Sequence, residues 1–273
     1  MNQGLGGFPS CRCRTYTKNR RRAPTHDRFE GSILQAMKVF DIDFRLVRGH
    51  TIVLLASWIV GTVLVMAAYT LAPTTPPVPI TAQYLDQLRG SWGWYAAGYA
   101  LFFVVDCAIA LIGISLVAWL RPEGFRGPAM IVLFALGGML GVLGDVQMLG
   151  AAQLFRLGSP LLAPEMAPAF LDGLNTTCNW LSAASFLPGG IATWLACRAA
   201  QAVGASGGWI TFTRLGALYQ IAAGLVCAAA LITAQPFLNN LALLGAIVGM
   251  PVFATAWLCW MLHEMKSQPS TGD

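Results

Sequence analysis

The chain has 273 residues, 56% of them hydrophobic and 11% charged, with a formal net charge of +5 and a mean hydropathy of +0.61. An ordinary soluble domain carries roughly 25% charged residues, so most of this chain cannot build a solvated exterior, and its long uncharged runs point to helices in lipid. The runs are too long for a transmembrane β-barrel, whose strands alternate polar and apolar residues over about ten positions.

Residues 1–36 are polar and basic, with Gly and Pro throughout, and read as disordered. Ten of the seventeen Lys and Arg residues precede residue 50. Such a segment fixes membrane orientation and suits an anionic lipid or a cytoplasmic protein partner rather than nucleic acid. Arg20, Arg21 and Arg22 are not followed by an apolar h-region, so no signal peptide is expected, and Met37 offers an alternative start. Ile33, Met37, Phe40, Phe44 and Val47 recur at helical spacing. Residues 37–50 therefore read as an amphipathic helix on the membrane surface. The alternation over 39–46 keeps a strand open there.

Six spans follow within a transmembrane domain at 51–265. The first runs from about Thr51 to Leu71 and stops at Pro73, Pro76, Pro77 and Pro79. The others cover about 94–120, 128–152, 169–197, 209–233 and 238–262. Residues 266–273 form a disordered tail. The N-terminus, the loop at 121–127, the region near Arg198 and the tail with Lys266 fall on one side. The other side holds only Arg89 and Arg156. The expectation is an all-α polytopic bundle with both ends in the cytoplasm.

Trp119, Trp194 and Trp257 each precede a Leu near the inner end of an even-numbered span, six residues after Gly113, Pro188 and Pro251. They read as an interfacial aromatic belt or as a mark of three repeated hairpins. Gly137 and Gly141 form a G-x-x-x-G that lets another helix approach closely. A glycine face serves internal packing or self-association equally, which leaves a homo-oligomer open.

Charges at bilayer depth are costly and mark candidate sites. Asp106 lies about 20 Å from the inner end of its span and Asp145 about 25 Å. Asp172, Asn175, Asn179 and Ser182 share one helical face, and Gln147, Asn239 and Asn240 sit at the same outer level. One reading is interhelical hydrogen bonding that holds the bundle together. The other is an outward-facing polar cavity formed by Asp106, Asp145, Asp172, Asn175, Asn179 and Asn239, binding or transporting a cation, a proton or a small polar ligand.

Catalytic constellations are sparse. His26, His50 and His263 all fall outside the spans, and neither H-E-x-x-H nor G-x-S-x-G occurs. No span contains Lys, which excludes a retinal Schiff base. Cys11 and Cys13 form a lone C-x-C, and the other five cysteines sit in or beside apolar runs. No cofactor or metal is expected. Asp106 with Asp145 is the one candidate carboxyl pair. It is similar to the pair of intramembrane aspartyl proteases, but Gly144 and Asp145 follow Val142 and Leu143 rather than completing a Gly-x-Gly-Asp, and Val105 stands where that family has Tyr.

The Pro-rich first outer loop, the turn at Trp119, Leu120, Arg121 and Pro122, and the terminal Trp257, Leu258, Cys259 and Trp260 give a layout over 45–265 that resembles bacterial six-helix membrane proteins classed as domains of unknown function. The resemblance implies a bacterial cytoplasmic-membrane protein and transfers no functional residue. A non-catalytic sensor or accessory subunit stays open beside the ligand-binding reading.

Overall fold

A computed structural model describes residues 44–71, 82–157, 166–233 and 250–267, with isolated positions between 235 and 241. Six helices account for nearly all of them: α1 (Phe44–Leu71), α2 (Ala82–Leu120), α3 (Arg126–Leu157), α4 (Ala167–Ala202), α5 (Gly207–Thr233) and α6 (Met250–Ser267). No strand occurs among the described residues. Four segments are long and apolar enough to cross a membrane: Arg45–Ala68 in α1, Arg89–Leu120 in α2, Arg126–Gln153 in α3 and Gly207–Thr233 in α5. α4 is 36 residues long and carries Pro188 inside it.

The helices start earlier than their apolar runs. α1 begins at Phe44 rather than near Thr51, so residues 44–50 continue into the span as one helix; residues 37–43 lie outside the described residues. α2 begins at Ala82 and passes through the polar stretch before Trp92. Backbone hydrogen bonds propagate a helix cheaply once it is nucleated, so hydropathy marks the membrane boundary better than the helix boundary.

Each helix packs on its neighbour in sequence, and α1 also packs on α6. Several approaches are backbone to backbone. A Cβ on Gly113 of α2 would lie 2.8 Å from the Ile131 Cα of α3, and one on Gly190 of α4 would lie 3.0 Å from the Ala217 carbonyl of α5. Without a hydrophobic force between helices in lipid, such close packing is a main source of association. The glycines of α3 divide between two neighbours. A Cβ on Gly137 would lie 3.3 Å from the Ser185 carbonyl of α4, whereas Gly138 and Gly141 face Asp106 of α2. Gly137 and Gly141 therefore do not act as one G-x-x-x-G contact.

Large apolar side chains face outward in rows, such as Val132, Leu136, Met139, Leu143 and Val146 along α3. Their spacing of three and four residues lines one helical face. A contiguous apolar face of that length suits lipid and not water.

One end of the bundle is tied by polar contacts. His50 of α1 meets Ser115 of α2, and Glu264 of α6 meets Ser206 ahead of α5. Arg45, Arg48, Arg121, Arg126, Arg198 and Lys266 belong to this end by their positions on the helices. The α4–α5 turn there places Gly204 at φ +72°, which a residue with a Cβ resists. The Ala205 N–H then returns to the Ala200 carbonyl at 3.1 Å, closing the helix end.

Candidate functional site

Asp106 projects from α2 toward α3. Its carboxyl stands over Gly141, in space that a Cβ there would occupy, and its carbonyl oxygen lies 2.5 Å from where a Cβ on Gly138 would be. Gly138, Gly141 and Asp145 succeed one another at three and four residues, so they share one face of α3. The glycines let α2 come close. Asp145, one turn beyond Gly141 on that face, then brings its carboxyl near that of Asp106.

The pair places two groups that can each carry a proton at the seam between two helices. Asp145 is 7% exposed, and its Oδ2 is buried with no hydrogen-bond partner. Gln147 Oε1, two residues along the chain, is also buried without a partner. Unpaired buried acceptors are costly, and both fall in the same stretch of α3.

Beyond the pair, toward the start of α2, Ala68, Tyr95, Met148, Ala151 and Ala152 form a buried apolar cluster, with Leu174 and Cys178 of α4 packed against it. The Tyr95 hydroxyl donates to Met148 Sδ at 3.7 Å. Cys178 Sγ also approaches Gly144, 3.3 Å from where its Cβ would be. An apolar layer therefore lies beside the carboxyl pair, in the part of the bundle where one reading of the sequence places an outward-facing polar cavity.

The structure brings together Asp106 and Asp145 of the six sequence candidates. Asp172, Asn175 and Asn179 lie on α4, in register beside Leu174 and Cys178, with their side chains outside what is described. Asn239 lies outside the described residues altogether. Among the described residues no group of three or more His, Cys, Asp or Glu side chains is placed to hold a metal.

Three polar contacts escape the sequence reading. The first corrects the placement of His50 outside the spans. His50 lies within the membrane-capable part of α1, with Nδ1 2.8 Å from Ser115 Oγ and Nε2 3.0 Å from the Ala108 carbonyl. A carbonyl only accepts, so Nε2 carries a hydrogen. The flanking Arg48 and Gly49 conceal this position in a hydropathy reading. Second, Gln220 of α5 donates from Nε2 to Thr193 Oγ1 of α4 at 3.3 Å, and Thr193 donates to the Gly189 carbonyl at 2.8 Å. Third, the Glu264 carboxylate accepts from the Ser206 N–H at 3.2 Å and from its hydroxyl, while Ser206 Oγ accepts the Trp209 N–H at 3.3 Å. Single polar residues in apolar runs carry no periodic signal, and their partners on other helices are 27 to 65 residues away.

The aromatic belt is only partly a belt. Trp119 and Trp257 are buried and pack on Trp209, with ring centroids 5.3 and 6.4 Å apart. Trp257 Nε1 donates to Thr213 Oγ1 at 3.0 Å. These two rings bind helices to one another and do not face lipid as depth markers.

The fold and this pair define a membrane-embedded helix bundle with two carboxyl groups meeting in its interior. No protein-family profile, curated protein or solved structure matches the chain, so its function is argued from its own residues.

Proposed function

We propose that this is a six-span protein of a bacterial cytoplasmic membrane, with both termini in the cytoplasm, that binds and passes a proton or small cation through the Asp106–Asp145 pair. The observation that carries the reading is the placing of the Asp106 carboxyl over Gly141 of α3, with buried Asp145 one turn beyond it on the same face. Carboxyl groups at such depth are rare, and they commonly mark ion and proton pathways. Release of a proton from the pair would leave a negative charge between two helices packed through glycine, which a bound cation would neutralise. A change of charge at that point bears directly on the α2–α3 approach. Orientation is supported by the Arg and Lys residues gathered at the end that holds the 121–126 loop. The turn at Trp119 to Pro122 supports the bacterial six-helix resemblance.

Reconstitution of the full chain into vesicles with an internal pH dye tests this. An imposed pH or cation gradient should drive proton movement in the wild type and not in Asp106→Asn or Asp145→Asn. Equal flux in wild type and both variants would sink the reading. Equal absence of flux, with no infrared signature of a protonated carboxyl in the wild type, would also sink it.

The same placing favours one second reading, an intramembrane aspartyl-type hydrolase in which the pair activates water. Cleavage of membrane-spanning peptides that is lost in both Asn variants would select it over transport.

A further inference from the structure

Two cations converge on one ring at the end of the bundle where α4 gives way to α5. Arg198 Cζ lies 5.7 Å from the Trp194 ring centroid, and Arg214 Cζ lies 6.0 Å from the same centroid. The two guanidinium carbons are therefore less than about 12 Å apart. Arg198 follows Trp194 by four residues on α4 and reaches back along its own helix. Arg214 arrives from α5. Both arginines are exposed, and Trp194 is half-buried beneath them. Among the described residues neither has an acidic partner; the ion pair found there joins Arg89 to Asp86.

Two exposed guanidinium groups beside one ring present a joint positive field to an incoming anion, and the indole compensates each only in part. The surroundings indicate the source of that anion. Leu215, Leu218 and Ile191 around the pair are 59%, 50% and 46% exposed, an apolar surface continuous with the membrane-capable part of α5. Arg214 lies seven residues into that segment, about 10 Å along the helix. A free anion in water would not need an arginine there. An arginine at that depth extends to the headgroup layer, where a phospholipid offers its phosphate and leaves its acyl chains to cover the leucines.

We infer that Arg198, Arg214 and Trp194 form a binding site for the phosphate of an anionic phospholipid, with the guanidinium groups gripping the headgroup and the indole serving as its platform. Planar, always-charged guanidinium groups suit phosphate oxygens better than ammonium groups do. The site is separate from the Asp106–Asp145 pair, which lies on α2 and α3.

Native mass spectrometry of the full chain in neutral detergent tests the site, with phosphatidylglycerol, phosphatidylcholine and inorganic phosphate as separate probes. The wild type should retain a phosphatidylglycerol adduct in preference to phosphatidylcholine. Arg198→Gln with Arg214→Gln should weaken phosphatidylglycerol binding about thirtyfold, from roughly fivefold for each charge near a membrane surface. Arg89→Gln should leave it unchanged. Arg198→Lys with Arg214→Lys keeps both charges and should retain an intermediate affinity. Equal affinity in the wild type and the double Gln variant overturns the site. Displacement of the lipid by inorganic phosphate overturns the lipid as source and makes this a site for the free anion.

Discussion

The carboxyl group of Asp106 stands in the space that a Cβ on Gly141 would fill. One helix thus supplies a charge-bearing group and the next supplies the absence of a side chain. Gly141→Ala forces the carboxyl aside or parts the helices. The expected cost is about 1–3 kcal/mol, as for other overpacked interiors. Asp106→Ala should recover most of that loss in the double variant, because the overlapping group is then gone. Reversible unfolding in mixed micelles measures all three; additive losses would show that the two residues do not share the space.

His50 joins α1 to α2 through two hydrogen bonds, to Ser115 Oγ and to the Ala108 carbonyl. Such bonds in membrane proteins average about 0.6 kcal/mol each. His50→Ala should therefore cost about 1–2 kcal/mol once lost packing is included, and Ser115→Ala less than half of that. Nitrogen NMR of labelled His50 should show a hydrogen on Nε2 in the folded protein. A hydrogen on Nδ1 alone would contradict the Ala108 contact.

Glu264 caps α5 from α6, by accepting from Ser206 at the helix entrance. Glu264→Ala removes that acceptor from a buried site and should cost about 1–3 kcal/mol. Hydrogen exchange should rise first in the opening turn of α5, at Gly207, Gly208 and Trp209. Glu264→Gln keeps an acceptor oxygen and should lose less. Uniform exchange throughout the bundle would mean that the contact is not a local cap.

Sidedness can be read with single cysteines in a background that lacks the seven native ones. Glu123→Cys, in the exposed turn between α2 and α3, should react with an impermeant maleimide only after cells are opened. Asp86→Cys, exposed near the start of α2, should react in intact cells. The reverse pattern would invert the proposed orientation.

Composition and hydropathy along the chain are enough to establish the helical class, the membrane-capable segments of α1, α2, α3 and α5, and the two carboxyl groups that a membrane interior should not hold idly. Those features are local: they depend on the sum of transfer energies along a run, which needs no partner to evaluate. Which polar groups meet is a property of the packed bundle. Packing pairs Asp106 with Asp145, draws His50 into α1, divides Gly137 and Gly141 between α4 and α2, and turns Trp119 and Trp257 inward onto Trp209. Each of these depends on the rotation of one helix against another, which is set by side-chain and backbone packing between residues far apart in the chain. Hydropathy averages over all faces of a helix, and so it locates the carboxyl groups in depth but not the face each one occupies.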